Sequence, residues 1–350
     1  MSDNIFRWIS FYITSIKSEY DYFYNTIVPM YESLNKSTIK NVEVDILFVG
    51  RSKSNKELLE LAIFYVRDKA PFFTKETIVE DISIEDMIVR LTTYQPKIYN
   101  GIILSAHANG ITVGIDTCPI IEIVEFAKLC ERYIVTKKKL DYIIFDSCYM
   151  GSIESLYEFA HLCKYMLATP SYHDAGRTMI ESPQLYIRYT DTLIWLSMIA
   201  NWYIMQSESY AAKRTSIIQW VIYSSEDLIK LTDYLTKSDL YEKFVYKESA
   251  VIYFNKEDKY YHDENLYSIS NVLDDTLIEH PELKKKIDHA KLLLLKSYHY
   301  YCKAEGQKFE SSVLAIHNGL PDYLSNTFNC KLKIFAKTYC MREDVKLIEI

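Results

Sequence analysis

The chain has 350 residues, 49% hydrophobic and 25% charged, enough for a sizeable core in one large domain or two smaller ones. A formal net charge of −7 with no long basic run offers no footing for a nucleic-acid partner. No apolar stretch reaches the eighteen or more residues of a membrane span; the nearest, Thr192 to Met205, is short and contains Asn201.

The opening residues, Met1-Ser-Asp-Asn-Ile-Phe-Arg-Trp8, lack the basic segment, apolar core and small-residue cleavage site of a secretory leader. Seven cysteines, an odd number without Cys-x-x-Cys spacing, predict reduced thiols rather than a disulfide framework. Together these read as a cytoplasmic protein.

Phe6 to Ile13 is aromatic and β-rich, and Val42 to Val49 alternates cleanly before Gly50, so both are expected strands. Between them Glu19 to Leu34 has helical spacing, with Pro29 placed to kink or break it. Lys56 to Phe73 would serve as helix or buried strand, and its propensity favours helix. Ser83 caps a helix carrying Met87, Ile88 and Leu91, with Asp86 in the capping-box position.

The central stretch, Tyr99 to Glu154, repeats one pattern twice. Tyr99-Asn-Gly-Ile-Ile-Leu-Ser-Ala-His107 reads as a buried strand ending at the corner Ala108-Asn109-Gly110. Pro119 to about Val135 has helical spacing, and Leu140-Asp-Tyr-Ile-Ile-Phe-Asp-Ser-Cys148 is a second buried strand, followed by a tight turn and an amphipathic helix to about Lys164. A strand-helix-strand unit of this length implies a parallel, right-handed crossover, which puts His107 and Cys148 at one edge of the sheet.

Further on, Tyr165 to Ala168 is a short strand and Thr169 to Thr178 a loop. Asp191 to Tyr210 reads as helix, Thr215 to Tyr223 as strand, Ser225 to Lys237 as helix, and Glu264 to Tyr301 as mostly helical with a new start at Pro281. Ser311 to Ile316 and Lys331 to Ala336 are the last expected strands.

The carboxyl ends of parallel strands are where ligands and catalytic groups gather. A thiol is only a few per cent thiolate near neutrality, so an imidazole that takes its proton turns a buried cysteine into a nucleophile. Cys148 also precedes a helix N-terminus, which favours a thiolate. On the residues alone, a Cys148/His107 nucleophile and base stands beside the plainer reading of a buried thiol and a capped strand end. His173-Asp174, His161 and His262-Asp263 read as surface groups, and no phosphate loop, zinc spacing or serine elbow occurs. The 31 tyrosines lack the basic interleaving of a base-stacking surface.

The pattern of apolar strand, Ser105-x-His107-x-x-Gly110, apolar strand, then Phe145-Asp-Ser-Cys-Tyr-Met-Gly151-x-x-Glu154 resembles the clostripain-like cysteine peptidases, relatives of caspases and gingipains. The chain departs from that family at His107-Ala108, where members usually have His-Gly, and at Arg177, where they carry an aromatic residue. The resemblance implies an α/β, caspase-like three-layer sandwich with a mostly parallel central sheet flanked by helices. It favours a β-hairpin for Lys56 to Phe73. Residues 1–240 would form the catalytic core and 241–350 a C-terminal segment packed on, or completing, the same domain.

The resemblance further implies a cysteine endopeptidase acting on polypeptides after Arg or Lys. Cys148 and His107 would be its dyad, the Ala108 and Cys148 amides its oxyanion hole, and Asp146, with Asp174, the acids of the pocket for the basic side chain. Lys137, Lys138 and Lys139 would be a self-processing site. Calcium dependence is compatible with the family, although the sequence marks no calcium site. The alternative is a caspase-like fold without catalysis that acts as a binding or regulatory module. Neither a nucleic acid nor a membrane is implied as partner, and the oligomeric state is not legible.

Overall fold

The computed structural model describes residues 5–14, 17–34, 41–51, 59–67, 73–78, 83–94, 98–108, 110–114, 121–135, 138–171, 178–186, 191–211, 219–247, 266–303 and 313–317. The N-terminal elements are β1 (Phe6–Ile13), α1 (Lys17–Tyr22), a π-helical turn (Phe23–Ile27), α2 (Val28–Ser33), β2 (Val42–Arg51), β3 (Leu59–Val66), β4 (Phe73–Ile78) and α3 (Ile84–Tyr94). The central ones are β5 (Gly101–Ala106), β6 (Thr112–Val113), β7 (Ile121–Glu122), α4 (Ile123–Leu129) with a π-turn (Cys130–Ile134), β8 (Leu140–Asp146), α5 (Ile153–Ala160) and β9 (Cys163–Ala168). Then come 3-10 turns at Met179–Glu181 and Pro183–Tyr186, α6 (Thr192–Ala211), β10 (Gln219–Ser224) and α7 (Ser225–Lys237). The last are β11 (Leu266–Ser268), α8 (Ile269–Glu279), α9 (Lys284–Lys296), β12 (Tyr298–Lys303) and β13 (Ala315–His317).

Nine of these strands make one sheet, ordered β12-β10-β9-β8-β5-β1-β2-β3-β4. Its five central strands, β9 to β2 in that order, run parallel, and antiparallel strands flank them on both sides. The parallel strands are apolar on both faces, as a sheet covered on both sides requires. Alternation along each strand sorts the side chains into two cores. Ile9, Phe11, Ile102, Leu104, Ile143 and Phe145 pack under α3, α4, α5, α7, α8 and α9. Trp8, Tyr12, Ile103, Tyr142 and Ile144 pack under α1, the 179–186 turns and α6. The result is the α/β three-layer architecture expected from the sequence.

Pro29 does not break its helix. The backbone stays helical through Ile27 and Val28, and the chain widens into the π-turn Phe23–Ile27 just before Pro29, relieving the clash of the proline ring with the preceding turn. Ser83 caps α3 as expected: its Oγ accepts the Asp86 amide at 3.1 Å while the Asp86 carboxylate accepts the Ser83 amide at 3.2 Å.

The ambiguous 56–73 stretch contains strand β3, paired antiparallel with both β2 and β4, so sheet hydrogen bonding overrides helix propensity. The helix expected to run to Lys164 stops at Ala160, because β9 starts at Cys163 to pair with Leu140 at the beginning of β8. Ile121–Glu122, expected as helix, pairs with Thr112–Val113. The helix expected to run to Tyr301 gives way at Tyr298 to strand β12, recruited by the otherwise unpaired edge of β10. Lys331 to Ala336 lies outside the described residues.

Candidate active site

The last register pair of β5 with β8 is Ser105↔Asp146. His107 and Cys148 each lie two residues beyond it, so they leave the sheet at the same level from neighbouring strands about 4.8 Å apart. Parity places Ser105 and Asp146 on the face covered by α1 and the 179–186 turns. Ser105 Oγ donates to Asp146 Oδ2 at 2.9 Å, and the Met179 amide donates to the same oxygen at 2.8 Å. Asp146 is therefore buried and held, 5% exposed, with the acceptor capacity of a carboxylate exceeding these two bonds.

Cys148 is 7% exposed and starts a turn kept tight by backbone bonds. The Tyr149 amide donates to the Ser171 carbonyl at 3.0 Å, and that of Gly151 to the Thr169 carbonyl at 2.7 Å. Tyr149 adopts the left-handed conformation, φ 59°, which costs a non-glycine residue about 1–2 kcal/mol and recurs where a side chain must be aimed sharply out of a strand end. Helix α5 begins only at Ile153, with Ser152 Oγ accepting the Ser155 amide at 3.3 Å. Cys148 thus stands four residues ahead of the N-cap, further from the helix end than its sequence suggests. Cys148 and Tyr149 cluster with Leu266 and Ala315, so β11 and β13 back the turn.

The Ala108 departure has a plain structural answer. Among the described residues the non-glycine positive φ values fall at Asn41, Tyr149 and Asp239, so Ala108 needs no glycine-like backbone. Its bridge to Val113 is flanked by the Gly114 N–H to His107 carbonyl bond at 2.8 Å, the pattern of a non-hydrogen-bonded pair, in which the Ala108 N–H is directed away from the partner strand.

His107 Nε2 lies 2.7 Å from Glu19 Oε1 on α1, and Glu19 Oε2 accepts from Thr14 Oγ1 at 2.5 Å. Burial acts to raise the Glu19 carboxyl, but the His107 hydrogen bond and charge, with the Thr14 hydroxyl, outweigh it and hold the group below its ordinary value. Sequence reasoning placed Glu19 in a helix and missed this contact, which spans 88 positions. Tyr12 lies beside the site, and its hydroxyl is pushed far up by burial and by the charges of Glu19, Asp146 and Glu181. Glu181 accepts from Tyr22 Oη at 2.5 Å and the Thr178 amide at 2.9 Å.

Of the remaining expected site residues, Asp174 and Lys137 lie outside the described residues, as do His173, Arg177 and His262. Lys138 and Lys139 are exposed ahead of β8; Lys138 lies 3.7 Å from Asp141, and Lys139 Nζ donates to the Ala160 carbonyl at 3.2 Å. His161 Nε2 lies 3.4 Å from Glu131 Oε1 at the surface. Among the described residues no group of three or more His, Cys, Asp or Glu side chains is arranged to hold a metal ion. Nor is any described helix long and apolar enough to cross a membrane.

Comparison with solved structures finds a secreted C11 cysteine protease from Bacteroides thetaiotaomicron, iotapain, at 14% identity and TM-score 0.66, covering 95% of this chain and 99% of that one. A structure of a secreted C11 cysteine protease from the same organism, in complex with an irreversible peptide inhibitor, matches at 12% identity and TM-score 0.64, covering 95% and 98%. An inactive zymogen C11 protease from Parabacteroides distasonis matches at 15% identity and TM-score 0.62, covering 95% and 97%. At such identities these likenesses establish the fold. No curated protein matches. The model of the clostripain family, peptidase C11, matches residues 100–314, more than half of the chain and the whole of the strand-turn pair that carries His107 and Cys148. This chain therefore belongs to the clostripain family of cysteine peptidases.

Proposed function

We propose that the protein is an active cysteine endopeptidase that cleaves after Arg or Lys. The observation that carries this reading is the shared level of His107 and Cys148 beyond the Ser105↔Asp146 pair of adjacent parallel strands. Cys148 Sγ attacks the peptide carbonyl, His107 protonates the leaving amine, and water then hydrolyses the acyl-enzyme. The Ala108 and Cys148 amides hold the oxyanion, a role supported by the non-hydrogen-bonded pairing of Ala108 with Val113.

Asp146 is the acid that meets the basic side chain, with Asp174 as a second. Glu19 and Glu181 add negative charge around Tyr12, which favours a cationic substrate group. Cleavage within Lys137 to Lys139 accounts for maturation, a reading supported by the exposure of Lys138 and Lys139 just ahead of the strand that delivers Cys148. Residues 241–350 complete the catalytic unit, a reading supported by β12 on the main sheet and by Leu266 and Ala315 against Cys148. A reducing, cytoplasmic setting agrees with free thiols at Cys130, Cys148, Cys163 and Cys302, whereas the compared Bacteroides proteases are secreted; cell fractionation decides between them.

The test is hydrolysis of a peptide library with every residue before the scissile bond, by wild type, Cys148→Ala and Asp146→Asn. Wild type should cut after Arg and Lys, and Cys148→Ala should cut nothing. Asp146→Asn should lose about 30- to several-thousand-fold in basic preference, the equivalent of about 2–5 kcal/mol for a desolvated charge pair, while still reacting with an alkylating reagent. Burial pushes the Cys163 and Cys302 thiols up to about 12, so alkylation near neutrality discriminates against them, and Cys148→Ala controls for the rest. Cleavage after acidic or small apolar residues would overturn the Asp146 assignment, and no cleavage by intact or matured protein would leave the non-catalytic module.

A further inference from the structure

We infer that Glu19 is the positioning residue of the catalytic imidazole, making the machinery a relay of Thr14, Glu19, His107 and Cys148 rather than a dyad. The inference rests on the peptidase reading. Glu19 Oε1 engages Nε2 of His107 at 2.7 Å, so a neutral ring keeps its proton on Nε2 and presents Nδ1 as the nitrogen that takes the Cys148 proton.

The carboxylate is itself fixed. Thr14 Oγ1 donates to its other oxygen at 2.5 Å, and Thr14 is 3% exposed, tied by its amide to the Val49 carbonyl at 2.9 Å. The orienting group is thus anchored to the carboxyl ends of β1 and β2, next to the strand that delivers His107, and α1 needs only its first turn to place it. A carboxylate so placed also stabilises the imidazolium that forms when Cys148 ionises, whereas a contact that only braced the fold would leave kcat and the alkaline limb of the folded protein unmoved. The other titratable groups around this site are Tyr12 of β1, Tyr22 of α1, Asp146 and Cys148 after β8, and Glu181 of the 178–186 segment. Glu19 Oε1 lies at hydrogen-bond distance from Nε2, and the other groups are unaltered in every variant of the test.

The experiment compares wild type, Glu19→Gln, Glu19→Asp and Thr14→Val as full-length proteins. It measures kcat, KM and the pH profile of kcat/KM on a substrate with Arg before the scissile bond, together with the NMR titration of the His107 ring. Glu19→Gln should lower kcat about 10²-fold with KM nearly unchanged, and should move the alkaline limb and the His107 midpoint down by about one pH unit or more. Glu19→Asp should fall in between, and Thr14→Val should shift both in the same direction by less. A Glu19→Gln protein with unchanged kcat and alkaline limb overturns the assignment. An unmoved His107 midpoint does so whatever the activity, whereas a wild type inactive on every basic substrate, yet with the midpoint shifting as stated, overturns the peptidase reading and not the pairing. If Glu19→Gln fails to fold, Thr14→Val carries the same comparison, and no shift in that variant counts against the relay.

Discussion

Gly151 lies three residues past Cys148, and replacing it with alanine tests how tightly the fold fixes that turn. A Cβ there would meet Pro170 N at 2.5 Å, the Thr169 carbonyl carbon at 2.7 Å and Pro170 Cα at 2.8 Å, all backbone atoms without a rotamer to escape into. Gly151 does not have positive φ, so the requirement is space rather than conformational freedom. Restoring ordinary contact takes a displacement of about 1 Å. That movement strains the 2.7 Å bond from Gly151 N–H to the Thr169 carbonyl and the 3.0 Å bond from the Ala315 amide to the Gly151 carbonyl. Overpacking of this kind costs about 1–3 kcal/mol, and one buried backbone bond left unmade about 1–3 kcal/mol more. Gly151→Ala should therefore destabilise the protein by about 2–6 kcal/mol. With a urea slope of about 3 kcal/mol per molar, the unfolding midpoint drops by about 0.7–2 M. A nucleophile displaced by about 1 Å loses about 10²-fold in kcat/KM. Urea unfolding followed by tryptophan fluorescence, with kinetics on the folded fraction, gives both numbers. A midpoint shift under about 0.2 M with kcat/KM within about threefold of wild type would refute the view that backbone packing against Thr169 and Pro170 sets the position of Cys148.

Ala108→Gly, which installs the His-Gly pair that the resemblance leads one to expect, should leave kcat/KM within about threefold and slightly lower stability, because the Ala108 backbone already lies outside the glycine-only region; a large gain in activity would contradict this. Arg67→Met should cost about 3–5 kcal/mol in urea unfolding, since it strands the buried Asp45 carboxylate that Arg67 pairs with and to which Tyr99 Oη donates at 2.5 Å. The double variant Arg67→Met/Asp45→Leu should recover much of that loss. The carboxyls of Glu19 and Asp141 are held low in the fold, burial opposing and hydrogen-bonded partners outweighing it: His107 and Thr14 for the first, chiefly Lys164 and Asn100 for the second. Their contribution to stability is therefore present above a pH of about 4 and lost as pH falls through their lowered values, so unfolding midpoints should decline below about pH 4, less so in Lys164→Met.

What the sequence determined by itself is whatever is written in local periodicity. The apolar runs Tyr99 to His107 and Leu140 to Cys148, joined by a helix too long for a hairpin, were sufficient to predict His107 and Cys148 at one sheet edge, because run length and crossover handedness are local rules. The caps at Ser83 and Ser225–Lys237 as a helix were legible for the same reason. Only the tertiary structure decided the rest. Tyr298–Lys303 became a strand because β10 had an edge to fill, and Leu59–Val66 because two neighbours offered it ladders of hydrogen bonds, which no window of sequence records. The contact of Glu19 with His107, the backing of Cys148 by Leu266 and Ala315, and the pressure of Pro170 on Gly151 all join residues distant in the chain. Each depends on where whole elements dock, so its cause is the packing of the layers and not the pattern within any one of them.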